Sequence, residues 1–116
     1  MATKKLLYHF NRPPYGTVFQ TEGWRAGVGA IAGIDEHEVV ILMQGDGVYY
    51  ALKDADRKEN LGYEQTLKKV DTKVYAVSED LEKRGISLNE IAPDITLIKA
   101  SETLRLYEEA DFNLDW

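Results

Sequence analysis

Reactive chemistry has few places to reside in this chain, because its 116 residues include no cysteine and only two histidines. The missing thiol excludes disulfides, zinc–thiolate and iron–sulfur sites, and every persulfide step carried by the chain itself. His9 and His37 stand too far apart for metal-ligand spacing. His9 falls inside an apolar run and reads as a hydrogen-bonded, half-buried side chain, and no metal is expected. Ser78 follows the apolar run KVYAV but lacks the G-x-S-x-G context of a nucleophile elbow, so it reads as a helix N-cap. Asp46 sits in QGDG, just past the run EVVILM, where open α/β sheets place ligands. It can equally cap a helix that starts at Gly47 or Val48. RPPYGT at 12–17 lies past the first apolar run, on the same sheet edge. Tyr15, Gly16 and Thr17 there can line a cleft or simply form a rigid loop. A ligand cleft would therefore draw on Tyr15, Gly16, Asp46, Gly47 and Ser78, with no catalytic residue among them. GVGAIAG at 27–33 resembles a dinucleotide fingerprint, but its G-x-G-x-x-x-G spacing inside a helix fits close packing instead.

The elements that would position these residues alternate. Strands are expected at 5–10, 38–43, 73–77 and 95–98, with a half-exposed edge strand in DFNLDW. Helices are expected over 17–33, in VYYALKDA and EQTLKKV, over 78–85, and in SETLRLYEEA capped by Ser101. EVVILM does not alternate, which marks a strand buried on both faces. Strand–helix alternation argues for a three-layer α/β/α sandwich with a five-stranded, mainly parallel sheet, as one domain over residues 1–116.

Fourteen basic against twenty acidic residues, net −6, disfavour a broad phosphate-contacting surface and hence nucleic-acid binding. No run approaches the ~20 apolar residues of a membrane span, and the N-terminus makes a poor signal peptide, so the expected location is cytoplasmic. Seven tyrosines and two tryptophans exceed what one small core readily buries, so aromatics near Tyr49, Tyr50 and Trp116 are candidates for an interface.

Several of these segments together resemble the DsrE/DsrF family of the DsrEFH/TusBCD sulfur relay superfamily, especially its DsrF/TusC branch. They are Pro14-Tyr15-Gly16-Thr17, Glu22-Gly23, Asp46-Gly47-Val48-Tyr49, the stretch VYAVSEDLEKRGI ending in Arg84-Gly85, and the closing ADFNLDW. The resemblance implies a flavodoxin-like fold, assembly as homotrimers, homohexamers or hetero-hexamers with DsrE-like paralogues, and a role in sulfur trafficking; no cofactor is expected. It also implies a persulfide-bearing cysteine at the end of the third strand, a position that matches Val77 or a residue within one of it. Valine has no nucleophile, and a serine hydroxyl holds no sulfane sulfur. The expectation is a non-catalytic subunit acting by assembly, not a sulfurtransferase by itself. The alternative is a binder of a small anion or nucleotide, or an enzyme acting on one, at the C-terminal ends of the strands. A flavodoxin-type electron carrier is disfavoured, because no phosphate loop follows the first strand.

Overall fold

Runs of β-branched and aliphatic residues form strands here, and the computed structural model joins five of them into one sheet. It describes residues 3–16, 18–32, 37–58 and 60–116. The strands are β1 (Lys5–Phe10), β2 (Glu38–Met43), β3 (Lys73–Val77), β4 (Thr96–Ile98) and β5 (Phe112–Asp115). All pairings are parallel and the order is β4-β3-β2-β1-β5. β2 lies at the centre, and every residue from Val39 to Met43 is buried, as its unbroken apolar run requires.

The order dictates where the helices go. These are α1 (Phe19–Ala32), α2 (Leu61–Lys69), α3 (Ser78–Lys83) and α4 (Thr103–Glu109). Right-handed crossovers stepping from β1 to β4 in one direction put α1, α2 and α3 on one face of the sheet. The return from β4 to β5 runs the other way and puts α4 on the opposite face. The cores divide accordingly. Trp24, Leu67 and Leu81 pack with Tyr8, Ile41 and Ala76 on one side, while Leu106 packs with Leu7, Val40 and Val77 on the other. Phe10 stacks on Trp24 at 5.4 Å between ring centroids, a geometry worth about 0.5–1.5 kcal/mol beyond area burial.

Strand bounds agree with the sequence expectation to within a residue, whereas helix ends differ for local reasons. VYYALKDA does not form an α-helix; a 3₁₀ segment, Gly45–Ala51, takes its place. A Cβ on Gly47 would collide with the Phe10 backbone carbonyl, so this turn can press against the end of β1 only with glycine there. Ser78 is the first residue of α3, not its cap; the cap position is Val77, which makes no side-chain cap bond. Ser101 likewise caps nothing. It lies within a 3₁₀ turn, Ala100–Glu102, where Glu102 accepts the Lys99 backbone N–H at 3.1 Å. Residues 17 and 33, the expected ends of the first helix, lie outside the described residues.

The end of α3 does follow its sequence signal. Gly85 has φ +68, and the Gly85 and Ile86 N–H groups donate to the Glu82 and Leu81 carbonyls at 3.0 Å each, a Schellman closure. α2 ends in the same way with Asp71, at φ 56, in the position glycine normally holds. The interface expectation changes as well: Tyr50 is core, and Trp116 stacks on Tyr8 at 6.2 Å. The exposed aromatics are Tyr15, Phe19, Tyr49 and Phe112.

Candidate functional site

In an open α/β sheet a crevice forms at the C-terminal edge where neighbouring strands send their connections to opposite faces. Here those neighbours are β3, which leads into α3, and β4, which leads toward α4. Val77 and Ser78 stand at this junction, and the chain's own side chains close it. The Ser78 hydroxyl lies 3.1 Å from Glu79 Oε1 and 3.4 Å from the Ile98 carbonyl. Glu79 Oε1 also accepts the Ala100 backbone N–H at 2.9 Å. That bond, with further backbone and Ser78 hydrogen bonds, holds the Glu79 carboxyl below the usual carboxylate range. A carboxylate thus occupies the N–H group that a bound anion would use. Val77 itself is 3% exposed and packs with Leu42 and Ile98.

Asp46 does not cap a helix. It is the second residue of the 3₁₀ segment, and its carboxylate accepts from Arg84 Nη2 at 2.8 Å and Nε at 3.1 Å. Asp46 raises the Arg84 pKa first by this hydrogen bond and then by its charge. Arg84 also donates to the Asp80 carbonyl at 3.0 Å and lies 5.8 Å from the Tyr49 ring centroid. Asp80 returns a contact, accepting the Gly45 N–H at 2.8 Å. The Asp46–Gly47 turn is therefore latched to α3 by an arginine that the sequence marked only as a helix end.

Tyr15 and Gly16 lie on the loop after β1. Tyr15 donates its hydroxyl proton to the Asp56 carbonyl at 2.8 Å, and Gly16 takes φ +82. Pro13, Pro14, Tyr15, Tyr49 and Leu52 line an apolar groove of about 320 Å³. The expected cleft residues thus separate: Tyr15 meets the 3₁₀ segment that carries Asp46 and Gly47, whereas Ser78 turns toward β4. Thr17 lies outside the described residues.

On the far side of β1, His9 Nδ1 sits 3.1 Å from Asn11 Nδ2 and 3.7 Å from Asp115 Oδ1, and the ring tilts against Tyr107 at 5.4 Å. Burial pushes His9 below its ordinary pKa, with Asp115 opposing. Gln44 Nε2 donates to the Tyr107 hydroxyl at 2.7 Å, completing a polar patch at the edge of the sheet. His37 precedes β2 at the opposite end, where its Nδ1 accepts the Lys4 N–H at 3.0 Å. Among the described residues no cluster of three or more His, Asp or Glu is placed to hold a metal.

A second polar cluster was not visible in the sequence, because its members are spread over fifteen residues with no periodic signal. Tyr50 donates to Glu64 Oε2 at 2.9 Å, and Arg57 donates to Glu64 Oε1 at 2.8 Å. Arg57 also donates to the Tyr50 and Leu52 carbonyls at 2.6 and 3.0 Å, with its guanidinium 4.4 Å from the Tyr50 ring centroid. Burial raises the pKa of both Tyr50 and Glu64. The cluster ties α2 to the 3₁₀ segment, and its density of partners is that of a structural tie.

Comparison with known proteins places this architecture. A family model described as DsrH like protein matches residues 29–112. The family named is DsrH, not the DsrF/TusC branch expected from the sequence, and the Pro14–Thr17 element on which that expectation drew lies before the matched residues. The crystal structure of the ychN protein from E. coli is similar with a TM-score of 0.83 at 16% identity, over 98% of this chain and 100% of that one. A protein of unknown function from Methanobacterium thermoautotrophicum, MTH1491, is similar with a TM-score of 0.73 at 13% identity, over 97% of this chain and 99% of that one. At such identities the likeness is one of fold. No curated protein matches the sequence.

Proposed function

The chain belongs to the DsrH-like family, and from that premise we propose that it is a non-catalytic subunit of an oligomeric assembly in cytoplasmic sulfur relay or sulfur metabolism. The observation that carries the reading is Val77. The residue that the resemblance sets at or within one position of the persulfide-bearing cysteine is a buried aliphatic side chain in a chain with no cysteine at all. Sulfane sulfur transfer needs a thiolate to attack and to hold the transferred atom, and nothing here supplies one. The Ser78–Glu79 bridge to β4 supports the same reading, since it fills the crevice where such chemistry would occur. Exposed apolar side chains, among them Tyr15, Leu104 and Phe112, offer contact surface for copies of itself or for cysteine-bearing DsrE-like paralogues.

The test is the mass of the purified chain by light scattering, alone and after co-expression with a cysteine-bearing relative. A trimer, a hexamer or a stable hetero-complex is expected. A strict monomer that recovers no such partner refutes the proposal. The rival reading, an anion or nucleotide site built from Tyr15, Gly16, Asp46, Gly47 and Ser78, ranks lower. Those residues fall in two places, and Asp46, Glu79 and Asp80 line the edge with negative charge.

A further inference from the structure

At the C-terminal end of β1 one side-chain amide joins a histidine to a carboxylate. Asn11 Nδ2 donates to Asp115 Oδ1 on β5 and also lies 3.1 Å from His9 Nδ1. An ionised carboxylate only accepts, so the Asn11 atom against it must be the amide nitrogen and not the oxygen. That nitrogen carries two protons and accepts none, so its contact with His9 requires Nδ1 to be bare. Neutral His9 therefore holds its proton on Nε2. A second proton must enter at Nδ1, which Asn11 already caps. It sets one N–H against another, and the amide has to leave. Asp115 Oδ1, 3.7 Å from Nδ1, is placed to take over as acceptor. No other group around the ring competes for that proton. Tyr107 of α4 meets His9 ring to ring at 5.4 Å, and the neighbour on β2 is Leu42. Arg12, from the same loop as Asn11, stands 3.7 Å from Asp115 Oδ1 and can only donate. Burial lowers the His9 pKa and the Asp115 charge opposes it; the capped Nδ1 acts in the same direction as burial.

We propose that His9, Asn11 and Asp115 form a proton-operated latch between β5 and the loop after β1. With His9 neutral the latch is closed, and the Asn11 amide bridges Nδ1 and Asp115. When Nδ1 takes a proton, the imidazolium turns its new N–H to Asp115, and the Asn11 amide loses both partners. Asn11 opens the loop that carries Pro13, Pro14 and Tyr15, which wall the apolar groove. Acid thus removes the Asn11 side-chain tie between this loop and the last strand. What still joins them is Arg12 beside Asp115 and the 3.3 Å backbone bond from Asn11 N–H to the Trp116 carbonyl.

The test is ¹H–¹⁵N correlation NMR of the full chain from about pH 8 down to about pH 4.5, just above the ordinary carboxylate range, with H9Q to assign the ring signals. At the upper end His9 is expected to show a bare Nδ1 and a protonated Nε2. Both Asn11 side-chain protons are expected to move to the positions of a solvated amide with the His9 midpoint. N11A uncaps neutral His9 and raises that midpoint by about half a pH unit or more, the effect of one hydrogen bond. D115N removes the charge that receives the imidazolium and lowers it. A proton on Nδ1 at the upper end overturns the proposal. A ring that stays neutral down to about pH 4.5 overturns it too, as do Asn11 protons that keep their shifts through the midpoint. These readouts use the unaltered chain and stand whatever the variants do. A midpoint that N11A leaves unchanged or lowers also overturns the proposal, and so does one that D115N leaves unchanged or raises.

Discussion

If the end of β3 is a closed, inert position, a thiol installed at residue 77 must be unreactive, while one installed next to it must not be. Val77 is 3% exposed, and β3 is hydrogen-bonded to β2 on one side and β4 on the other. A reagent reaches a V77C thiol only when this strand opens. Such opening costs a large share of the global stability, about 5 kcal/mol at the low end for a domain. At about 1.4 kcal/mol per factor of ten, the accessible fraction is then about one in several thousand. Apolar surroundings also raise the thiol pKa and deplete the thiolate. Ser78 is half-buried at the start of α3, so an S78C thiol is slowed only by partial exposure and by the neighbouring Glu79 carboxylate. Allowing about tenfold for that, V77C should alkylate about a hundredfold or more slowly than S78C. The assay is the second-order rate with iodoacetamide at pH 8, read by intact mass, with both variants checked for native melting. Comparable rates refute the reasoning, because they show that residue 77 is open to reagent at the end of β3.

G47A should lower stability by about 3 kcal/mol, since its methyl meets the Phe10 backbone carbonyl instead of a side chain that can swing away; the urea midpoint measures this. D71G should raise the melting temperature. It relieves a left-handed backbone and removes an acid from a helix C-terminus, for a gain of about 1 kcal/mol, and D71N should give about half of it. A melting temperature for D71G at or below that of the parent contradicts this. The depressed His9 pKa makes a pH-dependent contribution that is fully present above the ordinary histidine value of about 6.5. It is lost as pH falls through the folded value, because the unfolded chain takes up the proton first. Denaturation midpoints should therefore fall with acid in that window and flatten in H9Q. Glu64, raised by burial, acts with the opposite sign: its contribution is present below about pH 4.5 and lost as pH rises through its folded value. Midpoints of E64Q should lack this slope, and an unchanged slope counts against the buried carboxylate.

The sequence by itself determined the fold class, the strands and the excluded chemistry. Strands such as EVVILM are legible because burial on both faces leaves an unbroken apolar run, and the Arg84-Gly85 ending is legible because only a left-handed residue closes a helix in that way. The exclusion of thiol and persulfide chemistry carried by the chain itself needs no coordinates, since it follows from the absence of cysteine. Tertiary structure alone decided the partners of the polar side chains. Ser78 and Asp46 carry good capping chemistry, yet Ser78 faces Ile98 and Asp46 holds Arg84, 38 residues along the chain. Glu79 and the Tyr50–Glu64–Arg57 cluster gave no local sign of their roles. Hydrophobic burial is written in composition and period, which the chain carries locally. A hydrogen bond depends on which distant donor the sheet order brings within 3 Å, and that is fixed only once β4-β3-β2-β1-β5 has assembled.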